Sequence, residues 1–289
     1  MTPMATRNHP GSQPSFINAV NQSVLIGGIP FAYRDLGPRT EVPLLMFNHW
    51  GAVLDNFDPR IVDGLAKSRR VITTDYRGIG GSGGAAPLTV GEMADDAIGL
   101  MRALGFDKVD LLGFSLGGFV AQDVALKAPE RVRRLILTGT GPAGGTGIDS
   151  LGSVTWPLMI KGLLTLRDPR FYLFFTTTAN GQHAASEYLQ RLKERQEDRD
   201  KGPTPRAFLR QFKAITAWGR QASQDLGRLR MPTLIANGDN DIMVPTVNSI
   251  ELAQRIPNAQ LIIYQDAGHG SIFQYHTDFV AKAVAFLDA

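Results

Sequence analysis

KVDLLGFSLGGFVAQDVALKAP, residues 108–129, decides how this chain reads. Its first half is a short apolar run of strand length. Its second half carries helical spacing and stops before Pro129. Between them stands Gly113-Phe114-Ser115-Leu116-Gly117-Gly118. A serine on so sharp a strand-to-helix turn is held in a strained backbone conformation. The residues two before and two after it crowd each other, so both must be small, and Gly113 and Gly117 meet that demand. The hydroxyl then stands above the sheet edge, and the helix N-terminus behind it favours negative charge developing nearby.

Working outward, similar apolar runs recur at 42–48, 70–76, 132–139, 232–238 and 259–265. Helical patterns lie between them. Val90, Met93, Ala97, Ile98 and Met101 share one face of a helix over 89–104, which Thr89 and Glu92 open as a capping box. Further helices are expected at 116–127, 247–255 and 276–287. Buried strand alternating with helix predicts an α/β fold with a parallel sheet covered on both faces. The start differs: 22–37 reads as two strands around Gly27-Gly28, an antiparallel hairpin. Residues 142–228 lack strand runs, carry Trp156, Met159, Phe171, Phe174, Phe175, Phe212 and Trp218, and read as a helical insertion, or cap. Within it the charged run 186–201 is expected to be a helix with a solvated face, ended by Pro203. The domain reading is thus a flexible 1–21, a core of 22–141 and 229–289, and a cap of 142–228.

Composition narrows the chemistry. The 289 residues contain no cysteine, which excludes a thiol nucleophile, a disulfide framework and an iron–sulfur cluster. The net charge of +3 is small for this length, and no basic stripe with interleaved aromatics suggests nucleic acid. The five histidines show no metal-pair spacing, so neither a metal nor another cofactor is expected. No apolar run reaches transmembrane or signal-peptide length, and the expectation is a soluble cytoplasmic protein without a membrane partner.

A nucleophilic serine needs a base, and the base an orienting acid. His269, between glycines just past the last strand run, is preferred as base over His276 at the head of the last helix. The turn Gly238-Asp239-Asn240-Asp241 offers two acids. Asp241 is preferred, and Asp239 reads as a loop cap. Leu116, after the serine, would supply one oxyanion N–H and Trp50, after an early strand, the other. His49 would then be structural, packing beneath the site. Trp156, Met159, Phe174 and Trp218 are the cap residues expected to touch substrate.

These residues resemble the α/β-hydrolase superfamily. The resemblance runs from about residue 22 to the C-terminus and rests on NHWG (48–51), DYRGIGGS (75–82), GFSLGG (113–118), NGDNDIMVP (237–245) and AGHG (267–270) in the family's order. It implies a mostly parallel eight-stranded sheet with a cap inserted after the sixth strand. It also implies Ser115 as nucleophile, Asp241 as acid, His269 as base, and Trp50 and Leu116 at the oxyanion positions. His49-Trp50-Gly51 departs mildly from the family's common His-Gly pair. The serine disfavours the epoxide-hydrolase and dehalogenase branches, which use aspartate. The segment around it is similar to esterases, enol-lactone hydrolases and cofactor-free perhydrolases. The expected activity is hydrolysis of a small ester, lactone or related acyl compound. C–C bond hydrolysis, perhydrolysis and a slow-turnover ligand receptor on the same fold are the rivals. The small-molecule acyl substrate is the one expected partner, and the sequence is silent on oligomeric state.

Overall fold

The computed structural model describes residues 15–289. Eight strands form one sheet: β1 (Gln22–Ile26), β2 (Ile29–Leu36), β3 (Leu44–Phe47), β4 (Val71–Thr74), β5 (Val109–Phe114), β6 (Val132–Thr138), β7 (Thr233–Gly238) and β8 (Ala259–Tyr264). Their order is β1-β2-β4-β3-β5-β6-β7-β8. β1 and β2 form an antiparallel hairpin and β2 is antiparallel to β4; every later pairing is parallel. Gly27 and Gly28 turn the hairpin, both at positive φ, where a side chain would be strained. β3, β4, β5 and β7 are buried along their whole length, which explains why their sequences are mostly apolar rather than alternating.

Ten helices accompany the sheet among the described residues: α1 (Pro59–Ala66), α2 (Val90–Ala103), α3 (Leu116–Lys127), α4 (Leu151–Leu164), α5 (Arg170–Leu173), α6 (Ala179–Arg191), α7 (Pro205–Arg220), α8 (Val247–Arg255), α9 (Ser271–Gln274) and α10 (His276–Asp288). The capping box on α2 is present, with Thr89 Oγ1 accepting from the Glu92 N–H. α3 is buried from Leu116 to Ala125, packed between β5 and α2. A helix buried on every side has no solvent face, and that is why its sequence shows so little amphipathic pattern.

The insert between β6 and β7 carries α4 to α7. Two sequence expectations change here. The helix expected over 186–201 is instead α6, which stops at Arg191, and 192–204 is irregular. Nor is the charged run simply solvated. Arg191 donates to Asp58 Oδ2 at 2.8 Å and to the Phe273 carbonyl at 2.9 Å, and Asp200 meets Arg34 at 3.3 Å. Arg34 also holds Asp55 at 2.6 Å, with both side chains almost wholly buried. Charges that look like a helix face are consumed by tertiary partners more than 80 positions away, and the chain leaves the helix to reach them. The segment 1–21, expected to be flexible, lies outside the described residues up to 14. From Ser15 it is anchored: Phe16 is buried and its N–H donates to Asp63 Oδ1 at 2.6 Å. No helix among the described residues is long and apolar enough to cross a membrane.

Candidate active site

Ser115 stands between β5 and α3 with φ 57° and ψ −118°, a conformation that costs a non-glycine residue roughly 1–3 kcal/mol. The surrounding backbone holds it there. Its N–H donates to the Thr138 carbonyl at 2.9 Å, and its own carbonyl accepts from Thr140 Oγ1 at 2.9 Å and from the Gly118 N–H at 2.8 Å. The glycines have a concrete reason. A Cβ on Gly113 would lie 2.2 Å from the Gly117 carbonyl oxygen, and one on Gly117 would lie 2.2 Å from that of Phe47.

Asp241 follows β7 and His269 follows β8, so both sit at the same C-terminal sheet edge as the serine. His269 Nδ1–H donates to Asp241 Oδ2 at 2.7 Å, and both side chains are fully buried. Asp241 Oδ1 accepts from the N–H groups of Met243 (2.8 Å) and Val244 (2.9 Å), which fix the carboxylate. With Nδ1 committed as donor, Nε2 carries the lone pair. It is buried and has no partner among the described residues. The glycines flanking His269 permit close approach: a Cβ on Gly268 would meet the Phe174 carbonyl oxygen at 2.7 Å, and the Gly270 N–H donates to the same oxygen at 2.7 Å. Asp239 ties the turn instead, accepting from the Ala267 N–H at 3.1 Å and Asn240 Nδ2 at 2.7 Å. His276 starts α10 and does not border the site.

Ser115, His269, His49 and Trp50 border one cavity of about 300 Å³ whose walls are mainly apolar. The His49-Trp50-Gly51 loop follows β3. Among the described residues, every backbone N–H from His49 to Ala52 has an acceptor except that of Trp50: His49 donates to Asn48 Oδ1, Gly51 to Gln211 Oε1 and Ala52 to the His49 carbonyl. Leu116 is the first residue of α3, where an N–H has no intrahelical acceptor. His49 Nδ1–H donates to the Trp50 carbonyl at 2.8 Å, and the ring packs edge-on against Phe114 and Phe174. Burial, reinforced by the charge of Arg170, pushes this imidazole down to about 3, so it is neutral.

Of the four insert residues expected at the substrate, Met159 and Phe174 border the cavity. Trp156 and Trp218 do not. Trp156 lies one layer out, edge-on against Trp50 with ring centroids 5.8 Å apart. Trp218 is fully buried, stacks on Phe119 at 5.5 Å and serves the joint between insert and core. Trp218 is a core aromatic covering α3, and the half-buried Trp156 covers Trp50 from outside the cavity. Sequence reasoning missed Asp168, Arg170, Pro203 and Phe208, all of which border the cavity. Arg170 and Asp168 form a two-pronged pair, Nε to Oδ1 at 2.9 Å and Nη2 to Oδ2 at 2.6 Å. Burial opposes the charge on each, but the pairing more than offsets it, holding Arg170 above and Asp168 below its ordinary range. The Asp-Pro-Arg spacing was the available signal, although nothing local says that it faces a cavity.

The α/β-hydrolase fold family profile matches residues 42–274, and the chain belongs to that family. Proline iminopeptidase PfmaB of Pestalotiopsis fici is 28% identical over 284 residues, 90% of this chain and 96% of that protein. The 2-hydroxymuconate semialdehyde hydrolase of a Pseudomonas species is 27% identical, over 97% of this chain and 96% of its own length. Among solved structures, an α/β-hydrolase fold protein from Chitinophaga pinensis superposes with a TM-score of 0.90 at 36% identity. That match covers 96% of this chain and all of the other. The chain is an α/β hydrolase, and its named relatives are hydrolases.

Proposed function

We propose that the protein is a serine hydrolase that cleaves a small, largely apolar carboxylic ester or lactone through an acyl-enzyme at Ser115. One observation carries this reading: a buried Asp241–His269 pair leaves Nε2 free beside the cavity that Ser115 borders. His269 takes the serine proton as Oγ attacks the carbonyl carbon. Asp241 holds the tautomer and balances the imidazolium. The N–H groups of Trp50 and Leu116 receive the oxyanion, and loss of one such donor costs about 3 kcal/mol of transition-state stabilisation. The alcohol leaves with the proton from His269; water then attacks the acyl-enzyme with His269 as base again. A cavity of about 300 Å³ limits the acyl group to a small one. The α4–α7 insert acts as a cap, excluding water above the serine.

The likeness to 2-hydroxymuconate semialdehyde hydrolase over nearly the whole chain supports a second reading, in which the same residues break a C–C bond next to a carbonyl. Purified protein incubated with a fluorophosphonate probe and with short-chain aryl esters tests the shared first step. Labelling at Ser115, with turnover that Ser115→Ala abolishes, is expected. Absence of both labelling and turnover, or full activity in Ser115→Ala, would overturn it. Turnover of a vinylogous diketone in preference to the esters would favour the second reading.

A further inference from the structure

We propose that α7 of the insert, through Gln211, is what aims the Trp50 N–H at the cavity, making Gln211 a positioning residue for the oxyanion. The inference rests on the serine-hydrolase reading. The Trp50–Gly51 peptide is pinned at both ends. Its carbonyl accepts from His49 Nδ1–H at 2.8 Å, and its N–H donates to Gln211 Oε1 at 2.9 Å. One turn earlier on the same face of α7, the Phe208 carbonyl accepts from the Trp50 indole Nε1–H at 2.8 Å, and the Phe208 ring stacks on the indole at 4.2 Å. Gly51, at φ 71°, is what lets that ring lie on the backbone, since a Cβ there would sit 2.6 Å from it.

Two features set Gln211 apart from ordinary packing. Its side chain is wholly buried, and its single hydrogen bond among the described residues is the one to Gly51. Its Nε2 is left buried without a partner, a cost that a leucine of similar volume would not carry. The amide's one polar contact is thus through its carbonyl. With the following peptide fixed, Trp50 cannot rotate its own N–H away from the cavity, and the donor is pre-oriented before charge develops. The preceding peptide is fixed too, because the His49 carbonyl accepts from the Ala52 N–H at 3.2 Å. A core loop after β3 thus takes its working geometry from a helix more than 150 residues later.

The test compares wild type, Gln211→Leu and Gln211→Glu for aryl-ester kcat and KM, and for inhibition by phenylboronic acid, whose tetrahedral adduct on Ser115 presents an oxygen to the same donors. Gln211→Leu is expected to lower kcat about ten- to a hundredfold and to weaken the boronic acid in proportion, with KM within about twofold. Gln211→Glu, which keeps the acceptor, is expected to recover part of both. Where Gln211→Leu does not fold, Gln211→Met, which keeps an unbranched side chain of similar length and removes the amide carbonyl, carries the same expectation. Wild-type kcat and boronic-acid affinity in Gln211→Leu, or a raised KM with kcat unchanged, would overturn the inference. A wild-type protein inert toward esters and unlabelled at Ser115 would instead overturn the reading beneath it.

Discussion

His49 allows a stability experiment whose size follows from the structure. The residue is 7% exposed, and its imidazole donates from Nδ1 to the Trp50 carbonyl and is pushed by burial from 6.5 down to about 3. A base whose folded value is depressed contributes stability that is present above the unfolded value. That stability is lost as pH falls from 6.5 toward 3, because the unfolded chain takes up the proton and the folded chain does not. Near pH 7.5 the contribution is almost complete. Near pH 4.5, two units below the unfolded value, the folded protein is penalised by about 2.7 kcal/mol, two units at 1.36 kcal/mol each. Urea denaturation of wild type and His49→Gln at both pH values isolates this amount. The substitution's packing cost is the same at each pH and the other titrating groups cancel, so the wild-type advantage should shrink by about 2–3 kcal/mol on acidification. An advantage that stays constant within about 0.5 kcal/mol would mean that the imidazole is protonated in the folded protein, and the account of a neutral, desolvated His49 would be wrong.

Two further substitutions test how the site is framed. Gly113→Ala places a Cβ 2.2 Å from the Gly117 carbonyl oxygen, where only backbone can move, so a loss of about 3 kcal/mol or more in chemical denaturation is expected; wild-type stability would remove the steric reason given for the glycine. Arg191→Met breaks a pair whose side chains are 8% and 0% exposed and strands the Asp58 carboxylate. A destabilisation of about 3–5 kcal/mol is expected, whereas a change below about 1 kcal/mol would show that the joint between α6 and α1 does not depend on that charge.

The parts legible in the sequence were those fixed by short-range sterics and periodicity. The run 108–114 and the helix 116–127 reappear as β5 and α3, and the Gly27-Gly28 hairpin, α2 with its capping box and α8 all fall where their patterns place them. Ser115 on its strained turn is the strongest case, because the glycines that permit it are two residues away on either side and the clash between positions 113 and 117 is local, although Gly117 also clears the Phe47 backbone. The same reasoning failed for 186–201. Charge pattern along a helix cannot report that Arg191 has Asp58 waiting beneath it, or that Asp200 must reach Arg34.

The sequence by itself determined an α/β sheet, the serine turn, and which acid and histidine stood close enough in the loops to be considered. Their meeting is a tertiary matter. Asp241 and His269 are 28 residues apart and come within 2.7 Å only because β7 and β8 pair in parallel and release their loops at one edge. The cavity walls were decided even less locally. Trp156 and Trp218 look like substrate-facing aromatics in the chain but pack against Trp50 and Phe119 outside the cavity lining, whereas Asp168, Arg170 and Phe208 face the space above Ser115. An amphipathic pattern states that a face will be covered; what covers it depends on how an insert of four helices folds back across the sheet, a contact set by residues far apart in the chain.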